Sequence, residues 1–353
     1  MRPGDRLRWR ERGSRGHITP TDGILRVGFV PLLDCSLLAI AQERGFFDDR
    51  GLRVDLRKAQ SWSQVRDWLI QGELEAAHML ITIPLQAALQ AAPGASPLCY
   101  AFTLSRSANR IILGNALWNE GARDPVSLAR WLANNPAKSI RLGVVYPRGT
   151  QEYFLRSWLA RGGVPMGPRI TLSTIPPQEM VGRLRKGEID GFCVGEPWSR
   201  RAAASKLGRL VGDAGEMLPG LGDKVLATRT GWHRERACEH ARLVRALSDA
   251  SAWLAEPANR EDAAGILASK RYVNTAKAVV TEALLDQALR GILAGSPVVS
   301  GQAGDDADLP SHAHAQWYLE QMRRWGHVDS ASALRLDLSG ICLESFYHEA
   351  FQA

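Results

Sequence analysis

The sequence predicts an α/β protein built as two lobes of similar topology, joined by a hinge that the chain crosses twice. Three observations predict it. Ser61–Met79 reads as a helix, a glycine, an acid and a buried strand, and Pro176–Gly191 repeats that order, with Gly187 lying 115 positions after Gly72 and Glu188 lying 115 after Glu73. The same shift lays Ile140–Val145 on Leu25–Val30. Two segments matching at one offset mark two similar units. Along the chain, one α/β stretch is followed by a second and then by a long helical return, which leaves the first lobe interrupted. At 353 residues, 45% of them hydrophobic, the chain has material for two cores.

Taken in order, residues 1–24 read as a disordered basic tail carrying Arg2, Arg6, Arg8, Arg10, Arg12 and Arg15. The first lobe is expected at 25–105 plus 229–353, the second at 106–228. Leu25–Val30 is an apolar first strand, Ser36–Arg44 a helix ending near Gly45, and Leu52–Leu56 an alternating second strand. Val65, Trp68 and Leu69 share one helical face, Gly72 is a C-cap, and Leu74–Met79 is a short buried strand. Pro84 opens a helix running to about Ala92, with Pro93 and Gly94 as its stop. Leu98–Leu104 and Arg110–Leu113 are strands, and Val126–Ala133 is a helix. The second strand-helix copy runs from Ile140 to Val194, and Lys224–Thr228 is a further apolar strand. From Gly231 the chain is mostly helical, with Leu243, Val244, Leu247 and Trp253 on one face; Ala315–Trp325 is the last clear helix. Residues 295–310 are rich in Gly and Asp and read as a loop. The crossings are expected near 103–109 and near 225–230.

Composition excludes several function classes. The net charge is +7, and only seven of the 44 basic residues are lysine. The arginines are interspersed with acids, and no basic patch alternates with aromatics, so direct nucleic-acid binding is not expected. No run of about 18 apolar residues occurs, so no membrane span is expected. The N-terminal stretch lacks the apolar core of a secretory signal, which leads to the expectation of a cytoplasmic protein. The five cysteines are odd in number and contain no CxxC, which argues for free thiols over zinc or a disulfide framework. No Walker loop, GxSxG or HExxH is present, and His312 and His314, two apart, read as exposed loop. Neither an enzyme nor a cofactor is expected.

Ligands of open α/β sheets sit at the carboxyl ends of strands. That selects Pro31–Ser36, Ser61–Trp62, Met79–Thr82, Tyr146–Gln151, Val194–Trp198 and the turn at Lys224. Thr150-Gln151-Glu152, behind Gly149, reads as a helix start whose amides suit an anion.

Several blocks resemble the nitrate-binding branch of the periplasmic-binding-protein superfamily, which includes nitrate and bicarbonate transporter receptors and the NasS-type nitrate sensors. They are Val27–Asp34, Glu43–Phe47, Ser61-Trp62, Gly72–Met79, Leu155–Leu159, Val194-Gly195-Glu196-Pro197-Trp198 and Gly222–Leu226. The Gly72–Met79 and Val194–Trp198 blocks are the specific ones. The resemblance implies a periplasmic-binding-protein type II-like fold, with two α/β lobes on a double-crossing hinge. It implies an anion site in which Trp62 is the pocket tryptophan and Lys224 the pocket lysine. Asn109 stands where the branch carries a glutamine or asparagine. Gln151 departs from the pattern, standing where a histidine is expected; it keeps a donor and loses a group that titrates near neutral pH. The residue types suit nitrate, a planar monoanion that one lysine neutralises while indole and amide N–H groups surround it. The plain alternatives are core packing for Trp62, a solvated surface for Lys224 and a hinge turn for Asn109.

The resemblance, with no export signal read, implies a NasS-type cytoplasmic sensor of nitrate or nitrite. Its partner would be a NasT-type RNA-binding antiterminator, released when ligand binds. The alternatives are the substrate-binding component of an ABC transporter for nitrate, bicarbonate or sulfonate, and an enzyme like the thiamine-pyrimidine synthases, which share the fold and use a histidine and a lysine.

Overall fold

A computed structural model of the chain describes residues 23–92, 96–289 and 307–352. The stop at Pro93 and Gly94 lies outside them, as do nearly all of the basic tail and most of the 295–310 loop. Ten strands are described: β1 (Leu25–Phe29), β2 (Val54–Lys58), β3 (Ala76–Leu80), β4 (Leu98–Arg106), β5 (Asn109–Gly114), β6 (Ile140–Val144), β7 (Ile170–Thr174), β8 (Gly191–Gly195), β9 (Gly208–Asp213) and β10 (Gly222–Arg229). They form two five-stranded sheets, β2-β1-β3-β10-β4 and β7-β6-β8-β5-β9. In each, three parallel strands are followed by one antiparallel neighbour that has just crossed from the other lobe.

The 115-residue repeat is structural down to the register. Val27 pairs with Ala76 and Gly28 with Ala77; Leu142 pairs with Gly191 and Gly143 with Phe192. Both lobes leave out a side chain at the same place. A Cβ on Gly28 would stand 2.5 Å from Leu74 Cδ1 and 2.7 Å from Val65 Cγ2. One on Gly143 would stand 2.7 Å from Met180 Sδ and 3.3 Å from Ile189 Cδ1. Leu74 and Ile189 are equivalent at the shared offset, as are Val65 and Met180, so each helix lies directly on its strand. Gly72 and Gly187 both cap their helices at positive φ, +83° and +68°. An arginine fork is repeated too. Arg26 holds Glu75 through its backbone N–H (2.7 Å) and its guanidinium, and Arg141 holds Asp190 in the same way (2.8 Å).

The first crossing falls between β4 and β5, where Ser107 takes φ +46°. The second does not fall near 225–230, and the expected division at 228/229 does not follow the strand pairing. Lys224 pairs with Leu80, Leu226 with His78 and Thr228 with Ala76, so all of β10 belongs to the first sheet. The return lies just before it, where Ser107 accepts from Leu221 N–H at 3.1 Å and its hydroxyl donates to the Leu218 carbonyl. The reason is burial: the β10 run is enclosed between β3 and β4, and its backbone is satisfied only inside that sheet.

The helical return packs on the first lobe through Ala237–Ala255, which buries Leu243, Val244 and Leu247; Trp253 is half-buried beneath the Arg44 guanidinium, 4.8 Å away. Helix His312–Arg324 then reaches the second lobe. Its Tyr318 packs on Tyr153 of helix Thr150–Arg161, and Tyr153 Oη meets His327 Nδ1 at 2.9 Å. His312, expected as exposed loop, opens this helix and meets Glu344 at 2.6 Å. All five cysteines are free, and four are buried. No described helix is long and apolar enough to cross a membrane.

Candidate functional site

The lobes touch along the ends of their sheets. Trp198 Nε1 donates to the Pro31 carbonyl at 2.9 Å, and Leu33 N–H donates to the Glu196 carbonyl at 2.8 Å. Gly195, at the end of β8, permits this approach: a Cβ there would stand 3.0 Å from Leu32 Cδ2 and 3.1 Å from Asp34 Oδ2. The Val194–Trp198 block is therefore an interlobe contact.

Behind that contact lies a buried polar cluster. Lys224 is fully buried, with Nζ 2.5 Å from Asp223 Oδ2, 3.2 Å from Asn109 Oδ1 and 3.4 Å from Asp34 Oδ1. Asn109 donates to Asp223 Oδ2 at 2.6 Å, and Gln151 Nε2 donates to Asn109 Oδ1 at 2.8 Å. Ser105 donates to Asp34 Oδ1. Three of the four expected site residues, Asn109, Gln151 and Lys224, are thus in direct contact. Lys224 comes from the first lobe, Asn109 and Gln151 from the second.

Trp62 belongs to a second layer. It opens helix Trp62–Ile70, whose N-cap Ser61 accepts from Gln64 N–H at 3.2 Å. Its ring meets the edge of His78, with centroids 4.8 Å apart at 75°. His78 and Lys224 project from the same face of the first sheet, since His78 pairs with Leu226 and side chains alternate along a strand. Burial, and after it the Lys224 charge, lowers the His78 pKa to about 3, so the imidazole is neutral.

Lys224 is neither a surface lysine nor a lone cation. Burial pulls its pKa down, but Asp223 and Asp34 outweigh that and hold it above its ordinary value. Sequence reasoning missed both carboxylates as its partners. The available signals were Asp223 beside Lys224, and Asp34 at the end of the first block.

The cluster is also incomplete. Trp62 Nε1, both nitrogens of His78, Thr82 Oγ1, Asp34 Oδ2 and Asp223 Oδ1 are buried without a hydrogen-bond partner among the described residues. Buried polar atoms are nearly always paired, so a group of orphans in one place marks where a ligand or water belongs. A void of about 10 Å³ beside Asn109, Thr150 and Asp223 has room for roughly one water. A larger ligand reaches this place only when the lobes part. Roomier cavities lie on the outer seam, the larger about 780 Å³ and lined by Arg66, Gln86, Tyr146 and Arg148. They are open to solvent, whereas the orphaned atoms and the titratable chemistry are at Lys224, and the site is assigned there. Lys58, at the end of β2, donates to the carbonyls of Lys270 and Tyr272 and stands outside the cluster. Among the described residues, no group of three or more His, Cys, Asp or Glu side chains is placed to hold a metal.

The model of the NMT1-like family matches residues 19–268. The chain belongs to this family. Among its relatives is the nitrate import ATP-binding protein NrtC of Synechocystis, 33% identical over 312 residues, which are 86% of this chain and 46% of that protein. The bicarbonate transport ATP-binding protein CmpC of Synechococcus elongatus is 33% identical over 306 residues, with 86% and 45% covered. The chain spans about half the length of these relatives. It is 26% identical to the nitrate/nitrite binding protein NrtA of Nostoc over 351 residues, 93% of this chain and 76% of that one. The crystal structure of the periplasmic nitrate-binding protein NrtA from Synechocystis superposes with a TM-score of 0.83 at 24% identity, covering 95% and 89% of the two chains. The alkanesulfonate-binding protein SsuA from Xanthomonas axonopodis gives 0.64 at 16%, covering 92% and 97%. This NMT1-like chain therefore has the type II periplasmic-binding-protein fold, the fold of the NrtA and SsuA binding proteins.

Proposed function

We propose that the chain binds nitrate or nitrite between its lobes, at the junction of Lys224, Asn109, Gln151 and Trp62. The observation that carries this reading is the set of orphaned buried polar atoms around a buried lysine, fed by residues from both lobes. The indole N–H and the start of helix Thr150–Arg161 supply donors to a small oxyanion, and the Lys224 ammonium, whose N–H groups are held by Asp223, Asn109 and Asp34, supplies positive charge beside it. The names of the NrtA and NrtC relatives support the choice of anion. The test is isothermal titration with nitrate, nitrite, bicarbonate and taurine. The expected order places nitrate or nitrite first; preference for taurine would overturn the assignment.

In the finer reading the chain is a cytoplasmic sensor. Ligand touching both lobes favours the closed form, and a NasT-type antiterminator that recognises the open form is released. What supports this is a site shared between lobes that must part to admit a ligand; coupling of this kind is reciprocal. A pull-down of such an antiterminator with and without anion is expected to show capture only without it. Equal capture in saturating nitrate and nitrite would leave the second reading, the binding component of a nitrate or bicarbonate importer. The transport relatives favour that reading.

A further inference from the structure

Two helices of the first lobe begin at the site and, one turn later, reach across to the second lobe. Helix Trp62–Ile70 opens with Trp62, whose indole nitrogen is orphaned, and carries Arg66 four residues on. Helix Thr82–Gln90, which follows β3, opens with Thr82, whose hydroxyl is orphaned, and carries Gln86 four residues on. Residues four apart share a helix face, so each helix sets a site residue and a reaching residue on one side.

Both reach the same target, the turn at 146–149 between β6 and helix Thr150–Arg161. Arg66 Nη1 donates to Tyr146 Oη at 2.7 Å, and Gln86 Nε2 donates to the Arg148 carbonyl at 2.9 Å. Arg66 is aimed by its own lobe: Asp67 Oδ1 takes its Nε at 2.8 Å and its Nη2 at 2.6 Å, which leaves Nη1 for Tyr146. Leu80 closes on the same turn, since a Cβ on Gly149 would stand 3.0 Å from Leu80 Cδ1. The turn itself is tight. Gly149 N–H donates to the Tyr146 carbonyl at 3.1 Å, and Arg148 takes φ +55°, where side chains are uncommon. Arg148 N–H donates to Glu152 Oε2 at 2.7 Å, which ties the turn to the helix it precedes. The next residues are Thr150 and Gln151, both buried, with Gln151 Nε2 on Asn109 Oδ1 at 2.8 Å.

We propose that Arg66 and Gln86 are positioning residues for the anion: through Tyr146 and Arg148 they set the start of helix Thr150–Arg161, and Gln151 with it, against Trp62. The proposal rests on the anion-site reading above. Neither residue touches the anion. Donors gripping a small ligand work only within a narrow range of positions, and side chains behind them hold them there. Nitrate offers three oxygens and nitrite two, so shifting one set of donors changes the two affinities unequally. A contact that merely favoured closed lobes would change only the fraction of competent protein and would scale both affinities by one factor.

The test is isothermal titration of the full chain with sodium nitrate and with sodium nitrite, for the unaltered protein and for Tyr146→Phe, Gln86→Leu and the two combined. Tyr146→Phe removes the oxygen that Arg66 holds and keeps the ring, whose centroid lies 5.7 Å from the Arg66 guanidinium carbon. The combined variant is expected to bind at least one of the anions about tenfold more weakly, with the ratio of the two affinities moved by about threefold or more. Adding Tyr146→Phe to Arg66→Met is expected to cost little beyond Arg66→Met alone, because the bond is already gone. If a Tyr146 variant does not fold, Gln86→Leu, at a half-buried side chain, decides by the same ratio. Unchanged affinities, or both anions weakened by one common factor, would overturn the proposal. Failure of the unaltered chain to bind either anion would overturn the anion-site reading itself, and the proposal with it.

Discussion

Lys224 illustrates how much one buried charge carries. Its ammonium is the cationic partner of two carboxylates, so Lys224→Ala removes more than a ligand contact. Breaking a buried pair from one side costs about 3–5 kcal/mol, because the remaining charges stay uncompensated. Denaturant unfolding of Lys224→Ala is expected to show a loss of that order together with loss of anion binding. Adding Asp34→Asn and Asp223→Asn is expected to restore much of the stability and none of the binding; a stable single variant would sink the pairing argument. His78 sets an acid limit at the same site. Its pKa falls from 6.5 in the unfolded chain to about 3 in the folded one. The unfolded chain therefore binds the proton first, so the stability His78 contributes is complete above 6.5 and is lost as pH falls toward 3. Each unit of difference corresponds to about 1.4 kcal/mol. The unfolding free energy is expected to decline through that window, and less steeply in His78→Asn.

At the scale of elements, the two lobes repeat one device: a glycine in the first strand of each, with an apolar helix lying on it. The repeat makes a paired prediction. Gly28→Ala puts a methyl 2.5 Å from the branched Leu74, in the turn after helix Trp62–Ile70, and 2.7 Å from the branched Val65 of that helix, both of them fully buried. Gly143→Ala meets Met180 Sδ at 2.7 Å, on a flexible side chain that can swing aside. Overpacking costs typically about 1–3 kcal/mol, and Gly28→Ala is expected at the upper end and Gly143→Ala at the lower. Thermal unfolding of the two variants checks the order; the reverse order would mean that the helices yield more easily than their side chains. The offset and these glycines were visible in the sequence, because strand and helix periods are local.

Across the whole molecule, the lobes are also strapped on the side of Arg110. That buried guanidinium meets Glu196 at 2.7 Å and Asp213 at 3.2 Å within the second lobe. It also meets Asp286, on helix Lys277–Leu289 of the helical return, and Asp286 holds Arg200 at 3.2 Å. The strap exists only while that helix lies on the second lobe, so it adds to the closed arrangement. Asp286→Ala is expected to shift the population toward open lobes and to weaken anion binding without touching the ligand. Small-angle scattering should show a larger radius of gyration in the variant, reversed by saturating anion. An unchanged radius and affinity would mean that the helix is a passive neighbour.

The sequence by itself determined the two-lobe plan, the repeated strand-helix units and the grouping of Asn109, Gln151 and Lys224, the last through resemblance rather than spacing. Those features depend on short-range periodicity, or on blocks that keep their order along the chain. Only the tertiary structure decided which lobe owns Lys224, because a strand's partners are fixed by burial and backbone pairing far along the chain: Gly222–Arg229 closes against residues 76–80 and 98–106. The same holds for the charge of the site. Asp34, Ser105, Asn109 and Lys224 are separated by as much as 190 positions (224 − 34). Whether a lysine is a free cation or one side of a buried triad depends on which carboxylates folding brings within reach of it.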